Sequence, residues 1–190
     1  MVRLDGLNGL SFLDHTTLPI TRWHQLSLLH ELSFKKIAID ERLRAWVTSA
    51  NESVVMFALL LVEVSQCYER HDEVAACLSH SSRDVSQKAL YILQTIIQEK
   101  TLAHLITFYP NTDASGQFSI LRTLQEHGTV KELPFLFTIL NNSNETNQLA
   151  AVKAIQKINK EEDAFGQFID PERHPWSDML PQLKNKALAS

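Results

Sequence analysis

One segment of this chain occurs four times. Residues 46–62 read WVTSANESVVMFALLLV, and residues 77–93, 108–124 and 139–155 fall beneath it at a constant step of 31 positions. Identity between the copies is low, but residue class holds column by column. Val47, Leu78, Tyr109 and Leu140 are large and apolar, and Asn51, Ser82, Asp113 and Asn144 are all good helix N-caps. Ala58, Ala89, Ile120 and Ala151 are apolar and mostly small, while Val62, Leu93, Leu124 and Ile155 are aliphatic. A fixed period of this length marks a stacked repeat, because one two-helix unit cannot bury its own apolar face. A cap at the turn between the two helices closes orphan N–H groups. A small residue in the second helix lets its neighbour approach.

Read in order, the chain supplies about five helix pairs. Residues 1–20, broken by Gly6, Gly9 and Pro19, are expected to form an irregular N-terminal cap that seats Leu7, Leu10, Phe12 and Leu13 over the first repeat. Thr21 caps a helix to about Phe34, with Leu26, Leu29 and Leu32 on its apolar side. The later pairs have first helices over 40–49, 72–79 and 102–109 and second helices over 51–68, 82–99 and 113–126. Leu43, Trp46 and Val47 face inward; Pro110 and Gly128 stop helices; Pro134 opens the last first-helix, and Asn144 caps its partner to about Asn159. Asp170-Pro171 and His174-Pro175 break the tail, so 161–190 is expected to be a C-terminal cap with a short helix over 177–187. The fold expected is all-α: a right-handed superhelical solenoid in a single domain over 1–190, with the repeats over 21–160.

Composition narrows the function. Apolar residues make up 44% of 190 residues and charged residues 21%, as in a folded, water-compatible chain. The net charge of −4 argues against a dedicated nucleic-acid binder, which carries a basic excess. Cys67 and Cys77 match no zinc or CxxC spacing, which suits reduced thiols in a cytoplasmic setting, or at the cytoplasmic face of a membrane if the natural chain is longer. The opening MVRLDGLNGLSF has no signal-peptide pattern, and the longest apolar run, residues 54–62, is too short for direct membrane insertion. No GxSxG, P-loop or GxGxxG occurs, so no catalytic residue is assigned.

The four segments SANESVVMFALLLV, SSRDVSQKALYIL, TDASGQFSILRTL and NSNETNQLAAVKAI resemble HEAT repeats, in particular the short bacterial kind also found in phycobilisome lyases. The resemblance spans about 40–160. It departs from the common Asp-x-x-Val-Arg of that family, for which Arg83-Asp84-Val85 is the nearest match. It implies that the second helices line a concave surface, and that the protein is a non-catalytic protein-interaction scaffold. The alternative it implies is a lyase-like or small-ligand carrier with an apolar concavity at the N-terminal end. Metal hydroxylases of similar fold use repeated His-Glu pairs. Here there is one, His30-Glu31, and one pair cannot hold an ion, so no metal or cofactor is expected.

Spacing by three and four assigns the outward face of each second helix. It reads Ser53, Phe57, Leu60, Val64 and Cys67 in the first repeat segment and Asp84, Lys88, Tyr91, Thr95 and Gln98 in the next. The face is polar in later pairs, ending in Lys153, Lys157 and Lys160. It is apolar only near the N-terminal end. The apolar patch is therefore Trp23, His30, Phe34, Phe57, Leu60, Val64 and Tyr91, and two readings of it stand: a face covered by Leu7, Leu10, Phe12 and Leu13 of residues 1–20, or the candidate binding surface for an unknown protein partner.

Overall fold

The structure, a computed structural model, describes residues 10–35, 40–66 and 68–164; the side chains of residues 33–41, 68, 99, 142 and 161–164 lie outside that description. Leu7, Cys67 and the helix expected over 177–187 likewise fall outside it. Among the described residues there are ten α-helices and no strand: α1 (Phe12–His15), α2 (Arg22–Lys35), α3 (Asp40–Val47), α4 (Glu52–Ser65), α5 (His71–Ala76), α6 (Arg83–Thr95), α7 (Glu99–Phe108), α8 (Ala114–His127), α9 (Leu133–Asn142) and α10 (Glu145–Ala164). The fold is all-α. The chain divides into two compact units, residues 1–108 and 109–190.

The turns follow from the N-cap column. Asn51 accepts from the Ser53 amide at 3.1 Å, Asp113 from the Gly116 amide at 2.9 Å and Asn144 from the Asn147 amide at 2.9 Å, so α4, α8 and α10 start where the sequence places them. Ser82 departs from the column. It precedes α6 but makes no side-chain cap; its hydroxyl donates to Glu52 Oε1 at 2.6 Å, a charge-assisted bond that turns the side chain toward α4. α4 ends at Gln66, which takes the left-handed conformation (φ 53°) usual for the residue closing a helix. α6 stops at Thr95, short of the expected Glu99, since Glu99 already begins α7.

In the first unit, α2, α4 and α6 form one layer and α3, α5 and α7 a second, with α3 packed on α4 and α5 on α6. Polar links recur about one repeat apart. Cys77 Sγ approaches the Val47 carbonyl at 3.7 Å, Arg44 reaches Glu73 at 3.2 Å, and His104 meets Asp72 at 3.0 Å. In the second unit, α8 and α10 lie side by side and α9 folds back on α10. Tyr109 packs edge-on against Phe135, and its hydroxyl accepts from the buried Asn147 amide at 3.0 Å.

The core is the small-residue column and its aliphatic neighbours. Ala58, Ala89, Ile120 and Ala151 are buried, as are Val62, Leu93, Leu124 and Ile155. Leu43, Trp46 and Val47 point inward as expected, and so do Leu29 and Leu32, but Leu26 is exposed and Leu28 is buried in its place. Of the N-terminal stretch, Leu10 and Leu13 are buried whereas Phe12 is half exposed.

Candidate functional site

An open groove of about 1140 Å³ crosses the α2–α4–α6 layer of the first unit. Its floor is the outward face of α4: Ser53, Met56, Leu60 and Glu63. α6 supplies one wall, with Asp84, Gln87, Lys88 and Tyr91, and the segment before α2 supplies the other, with Thr17, Pro19, Arg22 and Gln25.

That second wall is irregular chain, and α4 holds it in place. The Asn51 side chain donates to the Thr16 and Leu18 carbonyls at 3.0 and 2.9 Å. Ser53 Oγ accepts from the Ile20 amide at 2.7 Å. Buried Gln25 donates to the Ile20 and Ser53 carbonyls at 3.1 and 3.0 Å. A loop with its backbone groups satisfied in this way is a defined wall. Opposite it, Lys88 donates to Glu63 at 2.6 Å and lies 5.0 Å from the centre of the Tyr91 ring. The pair neutralises its own charge and presents Tyr91, 54% exposed, to the groove.

Of the seven residues chosen from sequence, the groove brings together Leu60 and Tyr91. Trp23, His30 and Val64 are exposed but do not line it, and the Phe34 side chain lies outside the described residues. Phe57 does not reach the surface. It is 0% exposed and packs against Trp46 with ring centres 5.8 Å apart. The reason is the phase of α4. Val54, Val55, Phe57, Ala58, Leu59, Leu61 and Val62 are all buried, so the helix has no broad polar side from which sequence spacing can fix rotation. The outward strip runs through Met56 and Glu63, one residue earlier than 57 and 64. The repeat gave no signal for this, because three of the four residues in the outward column are apolar. The column Met56, Gln87, Phe118, Leu149 is half-buried at Met56 and exposed at the other three positions.

Two groups outside the groove carry titratable chemistry. Asp72 Oδ1 lies 3.0 Å from His104 Nε2 and 3.3 Å from His71 Nε2, which ties α5 to α7. The hydrogen bond from His104 holds the Asp72 carboxyl below its ordinary value. Burial pushes the neighbouring Glu73 up, but a backbone hydrogen bond and the guanidinium groups of Arg44 and Arg70 outweigh this and leave it lowered. Buried Cys77 has its thiol pushed up to about 11 by desolvation, so it is a packing residue and a poor nucleophile. Among the described residues no group of three or more His, Cys, Asp or Glu is placed to hold a metal ion, and no helix is long and apolar enough to cross a membrane.

No protein-family model, curated protein or solved structure matches this chain.

Proposed function

We propose that the chain is a HEAT-like repeat solenoid acting in the cytoplasm as a non-catalytic scaffold, and that it binds a protein segment in the groove over α4. The observation that carries this reading is the form of the site. A small-molecule carrier needs an enclosed, largely apolar cavity. This groove is open along its length, with an apolar floor at Met56 and Leu60, an aromatic wall at Tyr91 and polar groups at its rim. An apolar centre within a polar rim is the anatomy of a protein interface, and Tyr is among the residue types that anchor one.

The test is a pull-down from native lysate with the wild-type chain and with a Leu60→Ser, Tyr91→Ser double variant, both checked by circular dichroism and thermal melting. A partner retained by the wild type and lost by the equally stable variant supports the reading. A partner retained by both removes the groove from it. A stoichiometric small molecule released on denaturation supports the carrier reading instead.

A further inference from the structure

The second unit carries an exposed surface of different chemistry. Gln117 Oε1 accepts from Asn147 Nδ2 at 3.0 Å, and the Glu126 carbonyl accepts from Lys157 Nζ at 3.2 Å. α8 and α10 therefore run parallel, with residues about one repeat apart standing level. In that register Ser115 is level with Thr146, Phe118 with Leu149 and Arg122 with Lys153, and all six are exposed. Spacings of three and four place them on one strip per helix.

Two features of these strips go together. Phe118 and Leu149 are 42% and 43% exposed, and neighbouring helices present them side by side. Single exposed apolar residues are ordinary, whereas an adjacent pair of large ones forms a patch. One turn further on, the surface becomes cationic: Arg122 and Lys153 are exposed, with Lys157 and Lys160 following on α10. Glu126 lies among them, 3.6 Å from Arg122. Glu145 stands at the opposite end, in the first turn of α10. Beside the apolar pair, Arg122, Lys153 and Lys157 stand against Glu126, which leaves that level of the strip positive although the whole chain carries −4; further along, Lys160 is followed in sequence by Glu161, Glu162 and Asp163.

Resting on the scaffold reading above, we propose that the α8–α10 face docks an acidic protein segment bearing a large apolar side chain. The apolar residue covers Phe118 and Leu149, and flanking carboxylates face Arg122 and Lys153. A rim of charge steers and registers such a partner, and the apolar contact supplies its anchor. A nucleic acid matches the cations but has no use for the Phe118–Leu149 pair in a face without a continuous basic stripe.

The experiment is an NMR titration of the full-length isotope-labelled chain with a synthetic peptide whose Phe-Leu pair is flanked by Glu and Asp. The same peptide with Lys and Arg as flanks is the control, and a mixed-sequence single-stranded oligonucleotide is the competitor. The expected result is amide shifts confined to the α8 and α10 strips, weakening with salt, and a loss of about tenfold in affinity for Arg122→Glu with Lys153→Glu. Both of those side chains are exposed, so this variant tests the charges even if Phe118→Ser with Leu149→Ser perturbs folding. Absence of shifts, shifts that survive charge reversal, or tighter binding of the oligonucleotide at the same strips overturns the proposal. Because the probe reports on the second unit, its failure is separable from loss of a partner in the α4 groove.

Discussion

The indole Nε1 of Trp46 donates to Asp14 Oδ1 at 2.7 Å. This bond joins α1 to α3, and Arg42 reaches the other Asp14 oxygen at 3.2 Å. Asp14→Ala leaves a buried indole N–H unpaired and is expected to cost about 1–3 kcal/mol. Urea melts give the stability change. Limited proteolysis should show earlier cleavage between residues 10 and 20, and unchanged cleavage there would mean that the stretch is held by Leu10 and Leu13 alone.

Phe57 and Leu60 are close on α4 but differ in role. Phe57→Ala empties a core position beside Trp46 and should lower stability by about 3–5 kcal/mol. Leu60→Ser, at the groove floor, should stay within about 1 kcal/mol of wild type. Thermal melts of the two single variants decide it; equal losses would put both side chains in the core.

Ala89 is fully buried in α6, between α4 and α5. Ala89→Trp forces these helices apart, at a cost of at least about 1–3 kcal/mol by overpacking. Lys88→Ala removes a partly exposed ion pair to Glu63 and should cost about 1 kcal/mol or less. A melting midpoint for Ala89→Trp close to that of Lys88→Ala would contradict the packing described.

Asp72 and Glu73 have carboxyl groups held below their ordinary values of 3.8 and 4.5. A carboxylate lowered on folding binds fewer protons in the native state. It therefore contributes stability above its unfolded value and loses that contribution as pH falls through the folded one. Urea melts at decreasing pH should show stability falling below about pH 4.5, and Asp72→Asn with Glu73→Gln should flatten that limb. An unchanged slope would assign acid sensitivity to other groups.

Cys77 is buried, with its thiol raised to about 11. In a Cys67→Ser background it should react with a thiol reagent only at the rate of global or local opening, and fast labelling of the native protein would show the α3–α5 packing to be loose.

The sequence by itself determined where α4, α8 and α10 begin and which repeat columns fill the core. N-cap chemistry is local: an Asn or Asp side chain reaches amides two or three residues ahead, so Asn51, Asp113 and Asn144 announce their helices without reference to anything distant. The columns at Ala58 and Val62 were equally legible, because the repeat supplies the same packing problem several times. The tertiary structure decided which way α4 is rotated. That helix is apolar on nearly every side, and its phase is set by Trp46, which takes Phe57 inward and leaves Met56 and Leu60 facing the groove. Tertiary structure also turned Ser82 from a cap into a partner of Glu52, and it set Phe118 beside Leu149 through the parallel packing of α8 on α10. These outcomes depend on residues about one repeat away, and no local pattern encodes the contact between them.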